Sequence, residues 1–203
     1  MEAKTSNYER TKHKMQELFL ENDLDQVAAE WELRQDPSAI YLTFLSTPCA
    51  INRQSGAVIF ARDGVRQEAD FNVSMTIFDM LSRPRARASG EYMPVSWFSD
   101  MQTSTVLAGS FFDRSAKQLA GRTSRLAEVC RQLGGTPWGK GDAAYLLPVF
   151  RDFRVAVQFW DADEEFPAQL NFYCDRNLPR FMHYETMMFL LSHIAHRLCE
   201  LTQ

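Results

Sequence analysis

The chain has 203 residues, 45% of them hydrophobic and 24% charged, including fifteen Phe and four Trp. That bulk suffices for a packed core and excludes a disordered chain. A net charge of −4 argues against a broad nucleic-acid surface, which needs clustered Lys and Arg to displace counterions from phosphates.

The first twenty-two residues are charged and amphipathic, without the apolar run of a signal peptide. Tyr8, Met15, Leu18 and Phe19 predict the buried face of a first helix, with Glu9, Arg10, Lys12, Lys14 and Glu17 around the other side. A short second helix is expected over 24–29. The period then changes. Residues 31–34 alternate, Asp36-Pro37-Ser38 is a turn, and apolar runs at 40–45, 49–51 and 57–60 are separated by Ser46-Thr47-Pro48 and by Arg53-Gln-Ser-Gly56. Short β-rich runs punctuated this way describe an antiparallel meander.

Asp70 or Asn72 can cap a helix carrying Val73, Ile77, Met80 and Leu81, which Pro84 stops. The basic run Arg83-Pro84-Arg85-Ala86-Arg87 after it reads as a solvated loop. Residues 92–98 suggest a short edge strand, because Pro94 cannot donate to a ladder. A long helix is predicted over 112–133, with the stripe Leu119, Leu126, Val129, Cys130 and Leu133 and a Gly134-Gly135 cap. Strands at 143–148, 154–160 and 169–174 follow, the last two with one apolar and one amphipathic face. A last helix over 183–201 carries Met187, Leu190, Leu191, Ile194, Leu198 and Leu201. The expected fold is a single α+β domain spanning 1–203, an antiparallel or mixed sheet with helices mainly on one side.

Three strings invite a chemical reading. Gly134 to Gly141 matches a phosphate-binding loop until Gly141 replaces the Ser or Thr that ligates magnesium. A helix precedes it and a strand follows, the reverse of the phosphate-loop context, so a helix cap plus turn is favoured. Trp160-Asp161-Ala162-Asp163-Glu164-Glu165-Phe166-Pro167 copies the first ligand positions of a calcium loop, but the required Gly and terminal Glu are missing. It lies between paired strands, so a structural acidic turn is favoured over an oxygen-ligand metal site. Trp160 and Phe166 flank the acids, and Phe166 is expected to fold back onto apolar neighbours. His193, His196 and Glu200 share a polar arc of the last helix, without the general-base Glu of a metalloprotease motif. Cys49, Cys130, Cys174 and Cys199 lie far apart, which excludes a local zinc or iron–sulfur motif and fits reduced thiols in the cytoplasm. No window approaches the ~20 apolar residues of a membrane span.

Gly141-Asp142-Ala143-Ala144, Leu147-Pro148, the Trp160–Pro167 string, Leu178-Pro179 and Glu185 resemble an uncharacterised prokaryotic family catalogued as domain of unknown function 3786. Phe44-Leu45, Ser55-Gly56, Gly90-Glu91-Tyr92 and Val95-Ser96 also resemble it, so the likeness covers roughly 10–200. The resemblance implies a setting in anaerobic bacteria and archaea. Some relatives carry a four-cysteine iron–sulfur module, which this chain lacks. It implies no catalytic residue, metal or cofactor.

The residues singled out as a functional loop are Asp142, Trp160, Asp161, Asp163, Glu164 and Glu165. The expected function is a soluble, non-catalytic binding or accessory protein that handles a cofactor, protein partner or small ligand in anaerobic metabolism, with neither nucleic acid nor membrane as partner. The alternative is a metal-dependent enzyme using the acidic-loop carboxylates. Its discriminator is spatial, since an enzyme gathers acids and histidines in a concave pocket.

Overall fold

The amphipathic N-terminal segment folds as α1 (Asn7–Leu20), capped by the Ser6 hydroxyl, which accepts from Glu9 N–H at 3.2 Å. Its buried face is only in part the predicted one, at Phe19. Lys12, Gln16 and Phe19 are buried, while Tyr8 and Leu18 are exposed. The reason is electrostatic. Lys12 Nζ pairs with Glu9 at 3.0 Å and Glu68 at 3.1 Å, and Gln16 donates to Glu68, so the buried polar groups are satisfied. Burial pushes the Lys12 amine down, but the two carboxylates outweigh it and hold it above its ordinary value.

A computed structural model describes residues 6–62, 65–98 and 111–203. Among these residues the chain is α+β and forms two compact units, Met1–Ala86 with Arg180–Leu190, and Arg87–Pro179 with Leu191–Gln203. All described strand pairs are antiparallel.

In the first unit, α2 (Leu24–Glu30) leads into β1 (Arg34–Gln35), β2 (Ala39–Phe44), β3 (Thr47–Asn52), β4 (Val58–Arg62) and β5 (Val65–Glu68), paired in sequence order as the expected meander. Of the alternating residues 31–34, only Arg34 enters a strand, opening β1. Trp31 ends α2 and is buried, and Glu32 turns at φ 50°. The break predicted at Ser46-Thr47-Pro48 is tighter than expected. Leu45 and Ser46 alone turn the hairpin, both at positive φ, and Pro48 already pairs with Thr43. Pro48 lies beyond the β3–β4 register, so its missing N–H costs no ladder bond on that side. Strand β5, polar and exposed, carries no apolar alternation to announce it. Helix α3 (Phe71–Leu81) is capped by Asp70, which accepts from Val73 N–H at 2.9 Å, and it packs on α1 through Phe19 and Phe78.

The basic run after α3 is not a free solvated loop. Arg83 pairs with Asp79 at 3.0 Å, Arg85 pairs with Glu32 at 2.9 Å, and Glu30 accepts from Arg85 N–H at 2.8 Å. Asp79 on α3 and Glu32 in the turn after α2 thus neutralise Arg83 and Arg85.

In the second unit the strand order is β6-β10-β9-β8-β7, from β6 (Tyr92–Pro94), β7 (Thr136–Pro137), β8 (Ala143–Phe150), β9 (Phe153–Trp160) and β10 (Gln169–Asp175). Strand β6 is an edge, as Pro94 requires, and a 3-10 turn at Val95–Trp97 cuts it short. Val155, Val157 and Phe159 are buried on β9, and Leu170, Phe172 and Cys174 on β10. Helices α4 (Asp113–Leu119) and α5 (Thr123–Gln132) pack on this sheet, against β10 and β8 respectively. After the short α6 (Leu178–Phe181), α7 (Tyr184–Thr202) buries Met187, Leu190, Leu191, Ile194 and Leu198, while Leu201 is half-buried at its end.

Candidate functional site

The helix predicted over 112–133 is broken, and the break builds the site. Gly121 sits at φ +73°, a conformation that favours glycine, between α4 and α5. Its N–H, released from any helical partner, donates to both Asp161 carboxylate oxygens at 2.9 and 3.1 Å. The Thr123 hydroxyl donates to Asp161 Oδ2 at 2.7 Å, and Ala162 N–H to Oδ1 at 2.8 Å. The stripe prediction survives because Leu119, Leu126, Val129, Cys130 and Leu133 are all buried on both sides of the break.

Asp142 joins from the start of β8. Its own N–H donates to Phe159 O at 3.0 Å, and its Oδ2 accepts from Asp161 N–H at 2.7 Å. Gly141 lets the chain pass here: a Cβ would stand 3.0 Å from Phe159 O, and φ is +149°. In the hairpin loop, Asp163 Oδ1 accepts from Glu165 N–H at 2.8 Å and Phe166 N–H at 2.7 Å, an Asx-type turn. That turn holds the loop without apolar anchoring. Phe166 is 60% exposed instead of folded back, and Trp160 is 41% exposed. Glu164 and Glu165 are exposed at the tip. These residues border an open cleft of about 820 Å³ whose lining includes Thr123, Asp142, Trp160, Asp161, Phe166 and Gln169.

The electrostatics follow from the donors. Burial alone pushes the Asp161 carboxyl up, but the Gly121 N–H, the Thr123 hydroxyl and the Ala162 N–H outweigh it and hold it below the ordinary carboxylate value. A folded-state pKa below the unfolded one means the clasp stabilises fully above the ordinary range and is lost as pH falls through it. Asp161→Asn is expected to cost about 1–2 kcal/mol at neutral pH, a modest figure because solvent reaches the site. The difference from the parent protein should shrink below about pH 4, measured by urea denaturation across pH. A pH-independent difference would count against the clasp.

The other strings resolve as ordinary structure. Gly134 and Gly135 end α5 through N–H donations to Arg131 O and Cys130 O, and Thr136-Pro137 then pairs with β8. His196 Nε2 lies 3.1 Å from Glu200 one turn along α7. Among the described residues no group of three or more His, Cys, Asp or Glu is placed to hold a metal ion. The four cysteines are buried and unpaired by disulfides, and burial raises their thiols, Cys49 and Cys130 to about 12.

Two carboxylates that sequence reasoning passed over are more buried than the acidic loop. Asp175, fully buried, accepts from Ser89 N–H and Oγ at 3.0 Å and from Gly90 and Asn177 N–H at 2.8 Å. Asp79 accepts from His183 N–H at 2.7 Å and lies 2.9 Å from His183 Nδ1. Burial pushes the Asp79 carboxyl up, but His183 N–H, Arg83 and Thr186 outweigh it and lower it. For Asp175 the sequence signals were a Ser-Gly turn and a carboxylate at a strand end, neither of which names a partner 86 residues away.

Fold and site together define an α+β protein with a carboxylate-pinned β-hairpin beside an open, aromatic-edged cleft. No curated protein and no solved structure matches it. The chain belongs to the family described as domain of unknown function DUF3786, whose model matches residues 23–197. Among the described residues, no helix is long and apolar enough to cross a membrane.

Proposed function

We propose that this chain is a non-catalytic binding or accessory protein of the prokaryotic cytoplasm, serving anaerobic metabolism by engaging a partner through the cleft beside the β9–β10 hairpin. One observation carries the reading: Asp161 and Asp163 are occupied in holding backbone N–H groups, while Trp160, Phe166, Glu164 and Glu165 stand exposed around them. A general acid works best with its pKa near the operating pH. Asp161 is shifted the other way, so its chemistry suits positioning. Exposed carboxylates beside exposed aromatic faces suit a cationic segment, held by charge and by cation–π contact. Buried, protonated thiols support a reducing compartment.

The test is a fluorescence titration of the full chain with oligolysine and oligoglutamate peptides of equal length, alongside metal analysis of the natively purified protein. Saturable binding of oligolysine alone is expected, weakened about tenfold by Glu164→Gln combined with Glu165→Gln. It should also weaken with added salt. A stoichiometric divalent metal that these substitutions remove from a still-folded protein would instead establish the metal-enzyme alternative.

A further inference from the structure

We propose that the outward face of the N-terminal meander binds a small organic oxyanion, with Arg34 and Arg66 as its charge partners and an apolar floor between them. The cross-strand register sets Arg34 opposite Tyr41, Tyr41 opposite Ala50, and Ala50 opposite Ile59. Arg66 on β5 faces Ala61 on β4. Small residues in the middle strands leave a groove of about 400 Å³, a size that suits a small ligand.

The arginine is prepared for a flat anion. Arg34 Cζ lies 3.7 Å above the Tyr41 ring, and the Tyr41 hydroxyl is fixed by donation to Asp36 Oδ2 at 2.6 Å. That cation–π contact holds the guanidinium against the ring, and a guanidinium's N–H fork matches a carboxylate or phosphate.

Charge points the same way. Among the described residues, no Asp or Glu lines the groove. The acids at its margins are already engaged: Asp36 accepts from Ser38, Ala39 and Tyr41, and Glu68 from Lys12 and Gln16. Arg53 at one end is neutralised by Asp25 at 2.7 Å. Among the described residues Arg34 and Arg66 form no ion pair, so a chain of net charge −4 keeps a local positive site. A cross-strand Arg–Tyr pair could serve stability alone. A second arginine across a depressed apolar floor, with no acid between, is what a ligand requires and stability does not.

The experiment titrates the ¹⁵N-labelled full chain with benzoate, phenyl phosphate and inorganic phosphate, following amide shifts. Both aryl anions are expected to shift Tyr41, Ala50 and Ile59 saturably, and the tighter of the two identifies carboxylate or phosphate as the recognised group. Arg34→Gln and Arg66→Gln should each weaken binding about tenfold, with Arg34→Lys falling between because it keeps charge but loses the stacked fork. Both substituted sites are exposed, so the spectra themselves report whether the fold is intact. Inorganic phosphate binding as tightly as the aryl anions would overturn the proposal. So would the absence of saturable shifts, or unchanged affinity in both glutamine variants.

Discussion

Truncating Phe159 or Phe172 to alanine is expected to destabilise the protein by about 3–5 kcal/mol, through lost transfer free energy and the cavity left behind. Phe159 is fully buried in β9, between Ala143 of β8 and Leu170 of β10 in the register. Phe172 is buried two residues further along β10 and meets the Phe112 ring edge-on, with centroids 4.6 Å apart. Phe159 lies on the central strand and Phe172 on the strand beside it, where ladder bonds between β9 and β10 keep the walls from collapsing into the void. Urea denaturation followed by far-ultraviolet circular dichroism gives the number. A loss below about 1 kcal/mol would mean that the side chain is not part of a packed core, and that the strand faces are assigned backwards.

Asp175→Ala should rank with these core truncations although it removes no apolar surface, with a loss of about 3 kcal/mol. The carboxylate sits at the end of β10 with no exposure, and four donors from two loops converge on it. Removing it takes the shared acceptor away from the Ser89, Gly90 and Asn177 N–H groups, whose bonds to it are partly buried, and leaves a void where the carboxylate was fully enclosed. Nearby contacts do not replace it. Ala88 N–H is held by Asp152, the Asn177 side chain donates to Arg87 O, and Arg176 N–H donates to Glu91 O, so those acceptors are already engaged. Asp175→Asn keeps the shape and one acceptor and should cost less than half as much. Hydrogen exchange distinguishes this mechanism from a general loss of stability. The Ser89 and Gly90 amides should lose protection first in the alanine variant, ahead of the β9 and β10 ladder amides. Uniform acceleration across the sheet would argue that Asp175 acts through the core instead.

The strands and helix stripes were legible in the sequence because their information is local. Alternation along β9 and β10 reports which face is apolar, and Val73, Ile77, Met80 and Leu81 report a helix by spacing alone. The Asp70 cap, the edge position of β6 and the Gly134-Gly135 helix end follow from residue chemistry within a few positions. The residues of the acidic loop could be picked out the same way, because carboxylates between two strands stand out in a string.

What those carboxylates do was decided by tertiary structure. Asp161 meets Gly121 across 40 residues of chain, and the same Gly121 breaks a helix whose apolar stripe runs on as though it were continuous. On α1, Lys12 and Gln16 displace the more apolar face from the interior because Glu68, far along the chain, satisfies them. Hydrophobic burial is non-directional and repeats with the backbone, so periodicity reveals it. A buried polar group is stable only with a specific partner at hydrogen-bonding distance, and only the folded chain determines which partner that is.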